Sequence, residues 1–265
     1  MPEETIIDFW DTDKPARTLN GTGYEEYLFR DRMTEIISAH DASTPLFLNY
    51  DSKVAHYPQQ APQEYQERFA FITDSVNRRM YHAMVTCLDD NLKNVTTQLK
   101  DKGMWENTLM VLSSDNGGYV KDYNGGCNTS TGFGGADSTD SGHGGACFNG
   151  EAGANNFPLR AGKYAMFEGG IRVNAFVSGG FLPASVRGTK LDSMIHIVDW
   201  YMTFAKLAGL EKVEDPWAAA SGLPPIDSLD VWPLVSGATE TSPRTEILEL
   251  LTCALYTEEE VGVAT

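Results

Sequence analysis

An aspartate and an asparagine stand side by side where a short apolar run gives out. Thr108-Leu109-Met110-Val111-Leu112-Ser113 leads directly into Ser114-Asp115-Asn116-Gly117-Gly118. A carboxylate next to an amide oxygen at a strand end suits a hard cation such as calcium or magnesium. The two glycines let the backbone turn sharply beside it. Taken alone, Asp-Asn-Gly-Gly reads first as a plain turn.

Two further stretches carry groups suited to an anion. Pro158-Leu159-Arg160-Ala161-Gly162-Lys163 is followed by Glu168-Gly169-Gly170-Ile171-Arg172, a concentration of basic residues in a chain otherwise short of them. Upstream, Val54-Ala55-His56-Tyr57-Pro58 places a lone imidazole just past an apolar run. Each has an ordinary reading too. Lysines are usually solvated, a lone histidine is usually structural, and Glu168 with Arg172 has the spacing of a helical ion pair.

The bulk composition says what such groups would face. The chain has 265 residues, is 42% hydrophobic and carries a net charge of -17. It is long enough to bury a sizeable core. Its acidity excludes a sequence-independent nucleic-acid binder and a polybasic membrane-surface protein, which both need basic footprints. An anionic substrate would therefore need a local positive site, made by a metal ion or a few converging cations. No apolar run approaches the roughly 18 residues that span a bilayer. The opening Met1-Pro2-Glu3-Glu4 does not resemble a signal peptide, yet sequons occur at Asn20, Asn94 and Asn128. Four cysteines fit no zinc spacing; Cys127 and Cys147 are expected to pair if the protein is secreted.

The elements that position these groups follow from periodicity. Apolar spacing predicts a helix over 25–39 and a buried strand over Leu46–Tyr50. Met80, Met84, Leu88, Leu92, Val95 and Leu99 predict a long helix, and Gly103 sits where a left-handed cap belongs. Strands over 108–113 and 175–178 and a helix near 195–207 complete an α/β alternation, read as a mostly parallel sheet with helices on both faces. Residues 117–156, rich in Gly, Asn, Ser and Thr, interrupt it as a loop insertion. Asp115 thus falls at a strand's carboxyl end, where sites of open α/β sheets gather.

In order along the chain, these segments resemble the sulfatase family, and within it the arylsulfatase B-like (N-acetylgalactosamine-4-sulfatase-like) branch. The resemblance runs from about Asn20 to Leu250. It includes Pro45-Leu46-Phe47-Leu48 before Val54-Ala55-His56, and Asn94-Val95-Thr96 on the long helix. Gly103-Met104-Trp105-Glu106-Asn107-Thr108 then leads into Ser113-Ser114-Asp115-Asn116-Gly117-Gly118. Asn156-Phe157-Pro158-Leu159-Arg160-Ala161-Gly162-Lys163 and Phe167-Glu168-Gly169-Gly170-Ile171-Arg172 follow. His196-Ile197-Val198-Asp199-Trp200, Asp230-Val231-Trp232 and Pro243-Arg244-Thr245-Glu246-Ile247 close the series.

The resemblance implies an alkaline-phosphatase-like sandwich and a calcium-dependent sulfuric ester hydrolase. Asp115 and Asn116 match the family's metal-binding pair, His56 a histidine that assists the leaving oxygen, and Lys163 a lysine on a sulfate oxygen. Glu168 and Arg172 are expected to brace the site, and His196 and Asp199 to be structural. The implied substrate is a sulfate ester, a sulfated sugar among the candidates. The implied setting is the secretory pathway, lysosomal or extracellular.

The departures are as specific. The family's nucleophile is a formylglycine that a formylglycine-generating enzyme makes from the cysteine of Cys-x-Pro-x-Arg. None of Cys87, Cys127, Cys147 and Cys253 begins that motif. The Pro-x-Arg triplets at Pro15 and Pro158 have Asp13 and Asn156 at the nucleophile position. The family's early Asp-Asp pair and Gly-Lys-Trp-His segment are also missing. The expectation is that residues 1–265 form a partial sulfatase catalytic domain, incomplete at the amino-terminal side, with an incomplete calcium shell and no turnover of its own. The competing expectation is a non-catalytic binding or regulatory protein on a degenerate sulfatase scaffold.

Overall fold

The computed structural model describes residues 9–56, 59–120, 153–163 and 165–248. The Cys127–Cys147 pairing, the Asn128 sequon and most of the expected 117–156 insertion lie outside the described residues. The chain divides into two compact units, one of residues 1–105 with 119–155, the other of 106–118 with 156–265.

In the first unit, β1 (Trp10–Asp11) and β2 (Lys14–Pro15) form a minimal antiparallel hairpin. Helix α1 (Glu25–Ala39) has the bounds its periodicity predicts and buries Met33 and Ile37. Short α2 (Gln63–Arg68) and α1 both pack against the 26-residue α3 (Val76–Asp101). Ser75 caps α3, its hydroxyl accepting from the Arg78 amide at 3.1 Å. At the other end Gly103 takes φ 71°, Met104 N–H donates to Leu99 O at 2.8 Å and Gly103 N–H to Lys100 O at 3.0 Å. That is the double-bonded glycine stop expected from the sequence. Of the row of large apolar residues on α3, Met84, Val95 and Leu99 are buried, and the buried face extends sideways to Ala83, Cys87 and Asn91, while Met80, Leu88 and Leu92 are half-buried. Small Ala83 and Cys87 admit close neighbours, and Asn91 Nδ2 donates to Glu26 O at 3.2 Å. Burial pushes the Cys87 thiol up to about 11, so it stays a neutral core group.

In the second unit, β3 (Met110–Ser113) pairs antiparallel with β4 (Ala175–Ser178), in the register Met110↔Ser178 and Ser113↔Ala175. Between them lies the single-turn α4 (Glu168–Ile171). Further on come α5 (Asp199–Leu207), α6 (Pro216–Ala220) and α7 (Trp232–Val235). Leu182, Trp200, Val231 and Val235 form the core, with Val111 and Val177 of the two strands packed against it. Asp199 is fully buried and anchors this region. Arg244 Nε and Nη2 donate to its two oxygens at 2.8 and 2.6 Å, and the His196 and Leu229 amides add bonds at 2.8 and 3.0 Å.

Two expectations need correction among the described residues. Leu46–Tyr50 forms no strand, and Phe47 is 75% exposed. An apolar run becomes a strand only where a neighbour supplies the other half of its ladder, and no described strand pairs with it. The mostly parallel sheet is likewise not formed there: both ladders are two-stranded and antiparallel. A parallel pair needs a long crossover, usually a helix. Between β3 and β4 the described chain supplies only the four-residue α4, and Ser114 N–H continues the antiparallel ladder to Asn174 O at 3.0 Å.

Candidate active site

Strand β3 delivers Ser114–Gly118 to the end of its ladder. There Asp115 is exposed, and its Oδ1 accepts from the Asn116 amide at 2.8 Å. Ser114 Oγ donates to Asn116 O at 2.9 Å, closing the turn. Asn116 Nδ2 donates to Gly117 O at 2.8 Å. That bond uses the donor end of the amide and leaves its oxygen end to accept. Asp115 and Asn116 therefore offer two oxygen donors on one fixed turn, of the type a hard cation takes. Among the described residues no three His, Cys, Asp or Glu side chains converge on one point, so the pair would be only part of a shell.

The loop carrying Lys163 is tied to this turn. Lys163 N–H donates to Gly118 O at 3.1 Å, and Gly117 N–H donates to Gly170 O at 2.8 Å. Asn156 joins the pieces. Its Oδ1 accepts from Gly118 N–H at 3.1 Å, and its Nδ2 donates to Gly118 O at 2.8 Å and Ala161 O at 3.1 Å. One side chain thus fixes both the Asp-Asn turn and the bend before Lys163.

Glycine is what allows such close approach. A Cβ on Gly117 would overlap the backbone of Gly169, and one on Gly169 would overlap the carbonyls of Arg160 and Ala161. A Cβ on Gly170 would overlap the Ala165 carbonyl. Gly169 N–H donates to Arg160 O at 2.8 Å, locking α4 onto the Lys163 loop. Glu168 and Arg172 form the exposed pair their spacing predicts, at 3.2 Å. Arg160 lies over the Phe167 ring at 3.9 Å.

His56 belongs to the first unit. It is exposed, in a turn held by its amide donating to Lys53 O at 2.8 Å. Asp115, Asn116 and Lys163 share the second unit. The bracketing role of Asn156 does not emerge from the sequence, where it stands out only for its place before Pro158. An asparagine at the edge of a proline turn is the one signal that points to it.

A family model described as Sulfatase matches residues 3–210. Mouse arylsulfatase J is 32% identical over 255 residues, covering 96% of this chain and 36% of that protein. Human arylsulfatase A is 28% identical over 203 residues, covering 76% of this chain and 30% of that protein. The crystal structure of Ps i-CgsB in complex with k-i-k-neocarrahexaose aligns with a TM-score of 0.58 at 28% identity, covering 80% of this chain and 38% of that one. The chain thus spans about a third of the length of these relatives.

Proposed function

The chain belongs to the sulfatase family, and from that premise we propose that its residues 1–265 are a partial catalytic domain of an arylsulfatase-type sulfuric ester hydrolase. The observation that carries the reading is the joint between the Asp115-Asn116 turn and the Lys163 loop, made by Lys163 N–H, Gly118 and Asn156. A sulfate ester gains charge on its oxygens as the sulfur–oxygen bond breaks. Charges fixed in advance at that place commonly contribute more to catalysis than any other effect. Lys163 supplies a cation for a non-bridging oxygen, and His56 supplies a proton for the leaving oxygen. Asp115 and Asn116 would hold calcium, which when bound polarises the sulfate and steadies the attacking hydroxyl.

The nucleophile is not supplied by these residues, since no cysteine in the sequence begins Cys-x-Pro-x-Arg. We assign turnover to a longer chain that carries this motif and has met a formylglycine-generating enzyme. Placement in the arylsulfatase B-like branch rests on the segments quoted above, and residues 117–156 are taken as an insertion in the domain. A sulfated sugar is the proposed substrate class, supported by the neocarrahexaose bound to Ps i-CgsB. The sequons at Asn20 and Asn94, both exposed, support a secretory, lysosomal or extracellular setting. Among the described residues no helix is long and apolar enough to cross a membrane.

Calorimetric binding of an aryl sulfate to this chain, with and without calcium, tests the assignment. Weak binding that falls on Lys163→Ala and needs calcium supports it. Binding indifferent to both Lys163→Ala and Asp115→Ala contradicts it.

A further inference from the structure

We propose that Glu26 is the positioning residue of the loop that carries His56, an inference resting on the role given to His56 above. Glu26 lies in the first turn of α1 and is 2% exposed. Its carboxyl group accepts from the Tyr50 hydroxyl, from Ser52 Oγ at 3.1 Å and from the Lys53 amide at 3.0 Å. The chain of bonds continues towards the histidine. Ser52 Oγ accepts from Val54 N–H at 3.2 Å, and Lys53 O accepts from His56 N–H at 2.8 Å. Behind Glu26, Asn91 Nδ2 donates to its backbone oxygen and fixes the arrangement to α3.

Residues 46–56 form neither helix nor strand, so no ladder sets their course. Packing of α1 on α3 does not call for a carboxyl group: an apolar side chain would fill the same space without needing partners. A buried polar group is costly unless its hydrogen bonds are made. Here both carboxyl oxygens are spent on residues 50–53. Burial first, then the bond to Glu26, hold the Tyr50 hydroxyl well above its ordinary range, so it remains a donor. The side chain thus acts on His56 through two intervening hydrogen bonds without touching it.

The test is amide hydrogen exchange of the full 265-residue chain, read together with the imidazole C–H resonances of its five histidines. The His56 signal is identified by its loss in His56→Gln. In Glu26→Ala, exchange at Lys53, Val54 and His56 is expected to quicken about tenfold, the loss of roughly one net hydrogen bond. The His56 resonance moves, while α5 amides and the His196 signal stay put. Glu26→Gln keeps an accepting oxygen and restores most of the protection. Unchanged exchange and an unmoved His56 signal in Glu26→Ala overturn the proposal. So does equal loss in the Ala and Gln variants spread over α1 and α3, which marks a residue of the fold only. If Glu26→Ala does not fold, Glu26→Leu, which fills the same space without an acceptor, decides: quickened exchange at Lys53 and His56 supports the proposal, and unchanged exchange overturns it. Titration of the unaltered chain with inorganic sulfate separates the two readings. A His56 signal that ignores sulfate counts against the catalytic role and leaves the Glu26 result standing.

Discussion

Asn156 grips Gly118 from both sides, accepting from its amide at 3.1 Å and donating to its carbonyl at 2.8 Å, across 38 residues of chain. The same carbonyl receives Lys163 N–H, so the grip sets the approach of the Lys163 loop to the Asp115-Asn116 turn. Asn156→Asp keeps the size of the side chain but removes the donor to Gly118 O and Ala161 O. The expected loss is about 1–3 kcal/mol, since the part-buried Ala161 O loses its donor and the new carboxylate faces two carbonyl oxygens, although Gly118 O keeps Lys163 N–H. Urea unfolding of the two proteins measures it.

The glycine contacts separate two kinds of substitution. Gly169→Ala drives a methyl group into the Arg160 and Ala161 carbonyls and should cost about 1–3 kcal/mol. Gly23 has open space around it and an ordinary φ. There an alanine should leave stability unchanged or raise it by about 0.4–1 kcal/mol, through the unfolded chain. Thermal unfolding of the pair shows whether contact or glycine content governs.

Asp199 and Arg244 give the second unit a pH dependence. Burial would raise the Asp199 carboxyl, but the bonds from Arg244 and the His196 and Leu229 amides outweigh it, and its titration falls below the ordinary carboxylate range. A lowered native value means the stabilisation is complete above the unfolded value of about 3.9 and drains away as pH falls through the native value. Arg244→Met should cost about 3–5 kcal/mol by stranding a buried charge. Below pH 4 the gap between variant and parent should narrow. Urea midpoints between pH 3 and pH 7 check both statements.

Much of the fold is legible in the sequence, and the failures have a physical pattern. Helix α1 and strand β4 appear with the expected bounds, and Gly103 ends α3 as expected, because local spacing and a left-handed glycine decide them. Leu46–Tyr50 reads as a strand by composition, but a strand depends on a partner that local pattern does not reveal. Asn91 and Glu26 look like solvent-facing residues of amphipathic helices. They are buried because each meets the other's helix, a pairing 65 residues apart. The residue types at Asp115, Asn116 and Lys163 are visible in the sequence. Their junction through Asn156 is not, since it joins positions on either side of a long loop.

Metal binding by the chain should be weak. On the proposed assignment Asp115 and Asn116 would supply two oxygens of the roughly 6–8 that calcium takes. Calorimetry should show low affinity, lost altogether in Asp115→Ala. Tight binding, or binding that survives the substitution, would mean that other ligands exist.

The most direct measurement is turnover of an aryl sulfate by this chain, beside a longer chain carrying Cys-x-Pro-x-Arg and co-expressed with a formylglycine-generating enzyme. Loss of a hydrolase nucleophile costs on the order of a million-fold in rate. The 265-residue chain is expected to show no turnover above background. The longer one is expected to show activity that falls on His56→Ala, on Lys163→Ala and on calcium removal. Turnover by the short chain that is lost on Lys163→Ala would contradict this mechanism, because a nucleophile would then lie within these residues.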